Sequence, residues 1–302
     1  MRQITVYHVD AFTDQPFGGN PAGVVPDAGD LTEQEMQRIA NELHLPESAF
    51  LLPSDRPDAD FRVRYFTPQQ EIDFCGHATL GSAWLLASER NWAKRTERVV
   101  FSTNVGLVPI DWAKGETRLS QVTMTQIGPK VAELAVARQE LARMLGLSVD
   151  DLDDRYPIRL ASTGVWHLMV PVKSRQAIDH ARPQLQELSL HNKQHGIGTT
   201  HLFTFERGTD YDLYTRDFAP AVGIPEDPVT GAANGALAGY LVLEGLLEQT
   251  KRHQLRIAQG DAIHRPGRLN ITITPGEEGP IIQVGGSAHV TISGQLRLPA
   301  EK

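Results

Sequence analysis

The chain carries one cysteine, Cys75, among 302 residues. A single thiol excludes an intrachain disulfide and fits a reducing cytoplasm. No apolar run reaches the roughly 18 residues that a membrane span requires. No dense Lys/Arg run appears in a chain whose formal net charge is −8, which disfavours a nucleic-acid or anionic-membrane partner. The 11 histidines are scattered, with no CxxC and no HExxH, so metal-site spacing is missing. A GxGxxG or Walker-type phosphate loop is also absent. The opening residues, MRQITVYHVDAF, alternate polar and apolar and read as a first strand rather than a signal peptide.

What remains is an ordinary globular composition, 40% hydrophobic and 22% charged, on a chain long enough for two domains. A weak internal repeat supports that division. RYFTPQQEIDFCGHATLGSAWLL in the first half and TRDFAPAVGIPEDPVTGAANGALAGYL in the second both read Arg, Phe-x-Pro, acid, Gly, then a helix of small residues. Each half also has an earlier amphipathic helix. In LTEQEMQRIANELHL, Leu31, Met36, Ile39, Ala40 and Leu43 share a face, and Thr32 with Glu35 fits a capping box. In ELAVARQELARMLGL, Leu134, Leu141 and Leu145 recur, with Gly146 as the stop. Strand-like runs such as ERVVFSTN, WHLMVPV, HLFTFER and LNITITP surround them. Gln126–Pro129 is a plausible junction.

The helices of the repeat, within Asp73–Ala87 and Glu226–Leu243, have no polar face. A helix apolar all round must be surrounded. The expected fold is therefore α+β: two similar domains, each a curled, mostly antiparallel sheet around a central helix. Gly81, Gly235 and Gly239 are expected to let strands approach those helices closely.

Helix N-termini carry unpaired N–H groups and partial positive charge, so two such mouths suit a carboxylate. Gly76 and Gly231 leave the backbone open there. His77 is read either as a satisfied core histidine or as a working imidazole, its pKa pushed down by the helix end. Asp227, just before Pro228, is either a helix-start residue or catalytic. Asp73 is read as structural. Glu47, in the strand-like LHLPESAFLLP, shares a face with Leu45, Ala49 and Leu51. It is either an edge residue turned to water or a cleft acid whose pKa burial raises towards neutrality. Cys75 is read as a small buried residue.

VDAFTDQPFGGNPAGVV, LPESAFL, YFTPQQEIDFCGHATLG, RDFAPAVGIPEDPVTGAANG and the closing VGGSAHVTISGQLRL together resemble the phenazine-biosynthesis PhzF-like family over nearly the whole chain. The resemblance implies a diaminopimelate-epimerase-like fold. Residues 1–118, completed by a last strand at about 290–302, would form one domain and residues 119–289 the other, with the site in the cleft between them. It implies proton movement without metal or organic cofactor, and a cytoplasmic homodimer. It places the proton-shuttling glutamate at Glu47, the histidine at His77, the aspartate at Asp227 and a substrate-holding glycine at Gly231. Candidate substrate-binding positions are Asn20, Asp73, Gly76, Gly231 and Ala232. Ala232 departs from the family's usual Ser, which removes a hydroxyl.

The expected function is a cofactor-independent isomerase acting on a small, cyclic or amino-acid-like carboxylate. A racemase or epimerase, and a binding protein that lost catalysis, are the alternatives. No nucleic acid, membrane or metal is expected to take part.

Overall fold

In the computed structural model of the protein, residues 2–114 and 119–299 are described. The domain boundary expected at residue 118 lies outside them. The chain divides into two compact units, one running to Thr125 and resuming at Gly285, the other covering Gln126–Val284.

The first unit contains β1 (Arg2–Ala11), β2 (Asn20–Val25), α1 (Glu33–Leu43), β3 (Glu47–Pro53), β4 (Phe61–Phe66), β5 (Glu71–Ile72), α2 (Gly76–Ser88), β6 (Arg98–Thr103), β7 (Gly106–Lys114) and β8 (Leu119–Thr125). β1 pairs antiparallel with β2, which runs parallel to β3. β3 and β4 are antiparallel, β4 and β6 parallel, and β6 to β8 form an antiparallel meander. α2 touches β1, β2, β3, β7 and β8, so this sheet curls around it. Nearly every residue of α2 is buried, as its lack of a polar face predicts. A Cβ on Gly81 would come 3.3 Å from Val9 Cγ1, which accounts for that glycine by packing. α1 lies on the other face of the sheet. Its Thr32 capping box forms, and Met36, Ile39 and Ala40 enter a cluster with Val25, Phe50 and Phe66.

The second unit contains β9 (Lys130–Ala132), α3 (Arg138–Leu145), β10 (Arg159–Ser162), β11 (Trp166–Pro171), α4 (Arg175–His180), α5 (Leu185–Gln194), β12 (Thr199–Thr204), β13 (Leu213–Ala219), β14 (Ile224–Asp227), α6 (Gly231–Leu243), β15 (His253–Gln259), β16 (Gly267–Thr274) and β17 (Ile281–Gly286). Ladders run β9–β10–β11–β12–β13–β15–β16, parallel at β11/β12 and β13/β15 and antiparallel elsewhere. α6 touches β9, β10, β11 and β16 and is buried nearly throughout. A last strand, β18 (Ala288–Leu298), returns to the first unit as the second antiparallel partner of β1 and also touches α2.

The helix expected from Glu133 onward begins only at Arg138. β9 ends at Ala132 and residues 133–137 belong to neither helix nor strand, with Leu134 packed against the core from outside the helix. Gly146 does end the helix in the left-handed conformation, at φ 67°.

The sequence repeat is one device built twice. Arg64 holds Glu71 through two bonds of 2.7 and 2.6 Å and lies 5.2 Å from the Phe66 ring. Arg216 holds Glu226 through bonds of 2.8 and 2.7 Å and lies 4.8 Å from the Phe218 ring. Each clamp ties a short strand, β5 or β14, beside its neighbour just ahead of the central helix.

Gly239 shows how tight the second core is. An added Cβ would sit 2.3 Å from Pro129 Cβ, in a ring that cannot swing aside. Gly239→Ala is expected to destabilise by about 1–3 kcal/mol through overpacking, despite alanine's better helix propensity. A fall in the urea midpoint with an unchanged slope would register it. A midpoint equal to or above that of the wild type would contradict the packing account.

Candidate active site

Glu47 is the first residue of β3, opposite Ala22 of β2. The β4–β5 hairpin leads the chain to Cys75, the N-cap of α2, with Gly76 and His77 in the first turn. These segments bring three side chains together. His77 Nε2 lies 3.2 Å from Glu47 Oε2, with side chains only 10% and 12% exposed. Cys75 Sγ lies 3.5 Å from His77 Nδ1 and 3.8 Å from Nε2. Oε2 is buried and has no aligned hydrogen bond. Its contact with the imidazole is one of charge and proximity, and its lone pairs stay uncommitted.

Two expectations about charge are reversed here. Burial by itself would raise Glu47, but the His77 ring and the Cys75 thiol outweigh it and hold the carboxyl below its ordinary value. Burial likewise opposes a charged His77, yet the Cys75 sulphur and the Glu47 carboxylate lift it well above the ordinary imidazole value. The helix end had been expected to keep this ring neutral. A carboxylate 3.2 Å away is a nearer and fuller charge than a helix terminus, so it prevails. The resting site is an ion pair: a glutamate able to accept a proton and an imidazolium beside it. Cys75 is buried as expected, and burial pushes its thiol up. It is nevertheless a member of the cluster, which a reading of it as mere packing misses.

The ligand atoms of Glu47, Cys75 and His77 lie within 4.8 Å of one another. Carboxylate, thiolate and imidazole are a donor set suited to Zn²⁺. Sequence spacing could not reveal it, because Glu47 comes from a distant strand. A metal here would require His77 and Cys75 to give up their protons, so it and the ion pair exclude each other.

α2 has no acidic residue in its first turn and no side-chain cap at Cys75. A Cβ on Gly76 would meet only Met124 Cε, at an ordinary 3.7 Å. Asn20 is fully buried at the start of β2, opposite Ala11. Asp73 is exposed and accepts a 3.3 Å bond from Asn104 Nδ2.

In the second unit, Asp227 ends β14 opposite Asp217 of β13. Thr230 is the N-cap of α6, whose first turn holds Gly231 and Ala232, again with no acid and no side-chain cap. Glu71 and Gly76 are spaced like Glu226 and Gly231, so Thr230 corresponds to Cys75 and Ala232 to His77. Thr230 Oγ1 lies 2.6 Å from Asp227 Oδ2 and 2.9 Å from Asp217 Oδ2. Behind it, Asp217 Oδ1 accepts from His201 Nδ1 at 2.9 Å and from Thr199 Oγ1 at 2.6 Å. Sequence reading missed Asp217, His201 and Thr230. For His201 and Asp217 the available signal was a polar residue set within a buried strand, and Thr230, at the start of α6, carried no such signal.

The model of the family described as "Phenazine biosynthesis-like protein" matches residues 9–294. The chain belongs to this family. An uncharacterised isomerase of Escherichia coli (strain K12) is 39% identical over 294 residues, 96% of this chain and 94% of that one. Trans-2,3-dihydro-3-hydroxyanthranilate isomerase of Pseudomonas aeruginosa is 31% identical over 291 residues, 96% and 98% of the two chains. Among solved structures, a phenazine biosynthesis protein of the PhzF family from Bacillus anthracis superposes with a TM-score of 0.91 at 35% identity, covering 99% of this chain and all of that one. The family resemblance and the mixed α/β fold with curled sheets read from the sequence are borne out, and the protein is an enzyme of an isomerase family. Among the described residues no helix is long and apolar enough to cross a membrane.

Proposed function

We propose that this protein is a general acid/base isomerase that moves a proton on a small metabolite carrying a carboxylate. The observation that carries the reading is the buried Glu47–His77 pair, 3.2 Å apart, with Oε2 free of any aligned hydrogen bond. Glu47 takes a proton from a carbon beside an activating group and returns it to another carbon. The His77 imidazolium stabilises the negative charge that develops in between. The first turn of α2 supplies N–H groups for the carboxylate, and a catalytic role for Asp227 belongs to the same proposal. Substrate-binding roles for Asn20, Asp73, Gly231 and Ala232 belong to the same proposal, as do a cytoplasmic location and a homodimer. The name of the Pseudomonas aeruginosa relative makes trans-2,3-dihydro-3-hydroxyanthranilate one compound to try. Ala232, without a hydroxyl, argues for a different substrate of the same chemical kind.

The test is incubation in D₂O with a panel of cyclic and amino-acid-like carboxylates, that compound included. Deuterium entering at carbon, with the double bond relocated, is the expected result. Inversion at one carbon would instead indicate an epimerase. Ligands that bind without any exchange would indicate a binding protein.

The ion pair also sets a pH dependence. Glu47 is lowered from 4.5, so activity is lost only as pH falls through that depressed value. His77 is raised above 6.5, so the alkaline loss comes only as pH rises through the raised value. For stability, Glu47's contribution is complete above 4.5 and His77's below 6.5, so the pair stabilises most between those limits. A rate profile with its alkaline limb near 6.5 would show that the imidazole is not held charged.

A further inference from the structure

We infer that Glu47, Cys75 and His77 together bind Zn²⁺ as a three-ligand site of the first unit, and that the ion masks the proposed base. Binding stands on the geometry, whereas the masking rests on the reading of Glu47 as a proton acceptor. The ion takes no part in the reaction. It holds the site idle.

All three residues precede Thr125 and so belong to one compact unit. Among the described residues they are the one group of three His, Cys, Asp or Glu side chains whose ligand atoms gather within 4.8 Å, and all three are buried. Tetrahedral zinc has bonds of about 2.3 Å to sulphur and about 2.0 Å to nitrogen and oxygen, which sets ligand edges of about 3.5 Å for S···N and about 3.3 Å for N···O. Cys75 Sγ lies 3.8 Å from His77 Nε2, which lies 3.2 Å from Glu47 Oε2. The edges need to change by only a few tenths of an ångström. Oε2 and Nε2 are not aligned for a hydrogen bond, so the imidazole turns about its Cβ–Cγ bond to aim a lone pair at the ion. The other two donors are not committed elsewhere. Cys75 makes no side-chain cap to α2, and Oε2 accepts no hydrogen bond.

Charge favours the exchange. In the resting site a carboxylate, an imidazolium and a thiol sum to zero. As Zn²⁺ enters, His77 and Cys75 each release one proton to water. Carboxylate, thiolate, neutral imidazole and divalent ion again sum to zero. Binding therefore buries no net charge, which is the usual obstacle to a cation in such a place. The positive N-terminus of α2 repels a bare cation, but it meets the same total before and after. Burial opposes an isolated Cys75 thiolate, and a bound ion removes that penalty. The donor types set the class of ion. Thiolate and imidazole suit Zn²⁺ or Co²⁺, while Mg²⁺ and Ca²⁺ take oxygen ligands. Three protein ligands leave a fourth position for water.

The consequence is local. Oε2, the oxygen on which the proposed proton transfer depends, becomes a ligand, and its lone pair is closed to a carbon-bound proton. The imidazolium disappears as well, and with it the charge that would stabilise the intermediate. The site works as an ion pair and is idle as a metal complex, with free Zn²⁺ and acidity setting the balance.

The test is titration of the full chain with Co²⁺ in a phosphine reductant, after treatment with a chelator. Cys75 is the only cysteine, so a sulphur-to-cobalt charge-transfer band reports on this site alone. The band should saturate at one ion per chain, vanish in Cys75→Ser and bleach on adding one equivalent of Zn²⁺. Mg²⁺ or Ca²⁺ in large excess should leave it in place. Glu47→Gln and His77→Gln should each weaken Co²⁺ binding about tenfold or more, since partners outside the ligand set are already worth that much. The His191 and His195 rings, 4.7 Å apart at the end of α5, offer Co²⁺ a rival place without sulphur. Binding without the band therefore overturns the inference, and so does a band indifferent to Glu47→Gln and His77→Gln. If those variants fail to fold, the wild-type band alone decides. Zn²⁺ should also stop deuterium uptake at carbon, and a chelator should restore it. A band with uptake unchanged would overturn both the masking and the reading of Glu47 as the base. An absent band overturns the inference and leaves that reading intact.

Discussion

If Glu47 is the proposed base, Glu47→Gln is expected to slow deuterium uptake at carbon by about 10²–10⁴, the contribution of a positioned general base. The amide keeps the shape of the side chain but cannot accept the proton. Its second effect separates this account from simple damage. Burial disfavours a charged His77, and the Glu47 carboxylate helps overcome it. Without that charge the imidazole pKa falls, and His77 titrates at lower pH in an NMR experiment. Glu47→Asp keeps the charge and withdraws it by one methylene. It is expected to retain part of the His77 shift and lose most of the rate, because proton transfer depends on reach more steeply than charge does. Near-normal turnover in Glu47→Gln would rule out the proposed role.

Arg216→Met is expected to destabilise the protein by about 3–5 kcal/mol, the cost of leaving a buried charge without its partner. Arg216 and Glu226 have side chains 5% and 12% exposed. Besides its two bonds to Glu226, the guanidinium donates to the carbonyls of Ile178 at 2.8 Å, Asp179 at 3.3 Å and Ala181 at 3.2 Å, where α4 ends. Removing it strands a carboxylate and the unpaired end of a helix together. For a unit of this size the melting temperature should drop on the order of 10 °C. Arg216→Lys recovers little, since an ammonium cannot grip both carboxylate oxygens and reach the carbonyls. Adding Glu226→Gln to Arg216→Met should regain part of the loss, because no bare charge remains. As a control, Arg98→Met breaks a pair with Asp111 whose side chains are 56% and 39% exposed, and it should cost under about 1 kcal/mol. Equal losses in the two single variants would show that the buried clamp is not special.

The elements read best were those whose pattern reports directly on burial. α2 and α6 have no polar face, so they had to be surrounded, and each is. α1 was legible from its capping box and apolar stripe, because both signals lie within a few residues of each other. The start of α3 was misread. Local periodicity took in Leu134, but that residue lies between β9 and α3 and is held by packing on the core of its unit, a contact that order along the chain does not record. α4 and α5 went unread because they are short, at 6 and 10 residues, and their buried positions are few.

The sequence by itself determined the family, the mixed α/β character, the paired central helices and the identity of the side chains at their mouths. These follow from residue type and from spacing along the chain, which sequence records completely. The tertiary structure alone decided the electrical state of those side chains. Glu47 and His77 are 30 positions apart, and each was read with the wrong direction of shift until their 3.2 Å separation was known. Asp217, Asp227 and Thr230 came together only when β13, β14 and the start of α6 met around one hydroxyl. Charge interactions fall with distance in space, and hydrogen bonds require contact, so neither can be read from order along the chain.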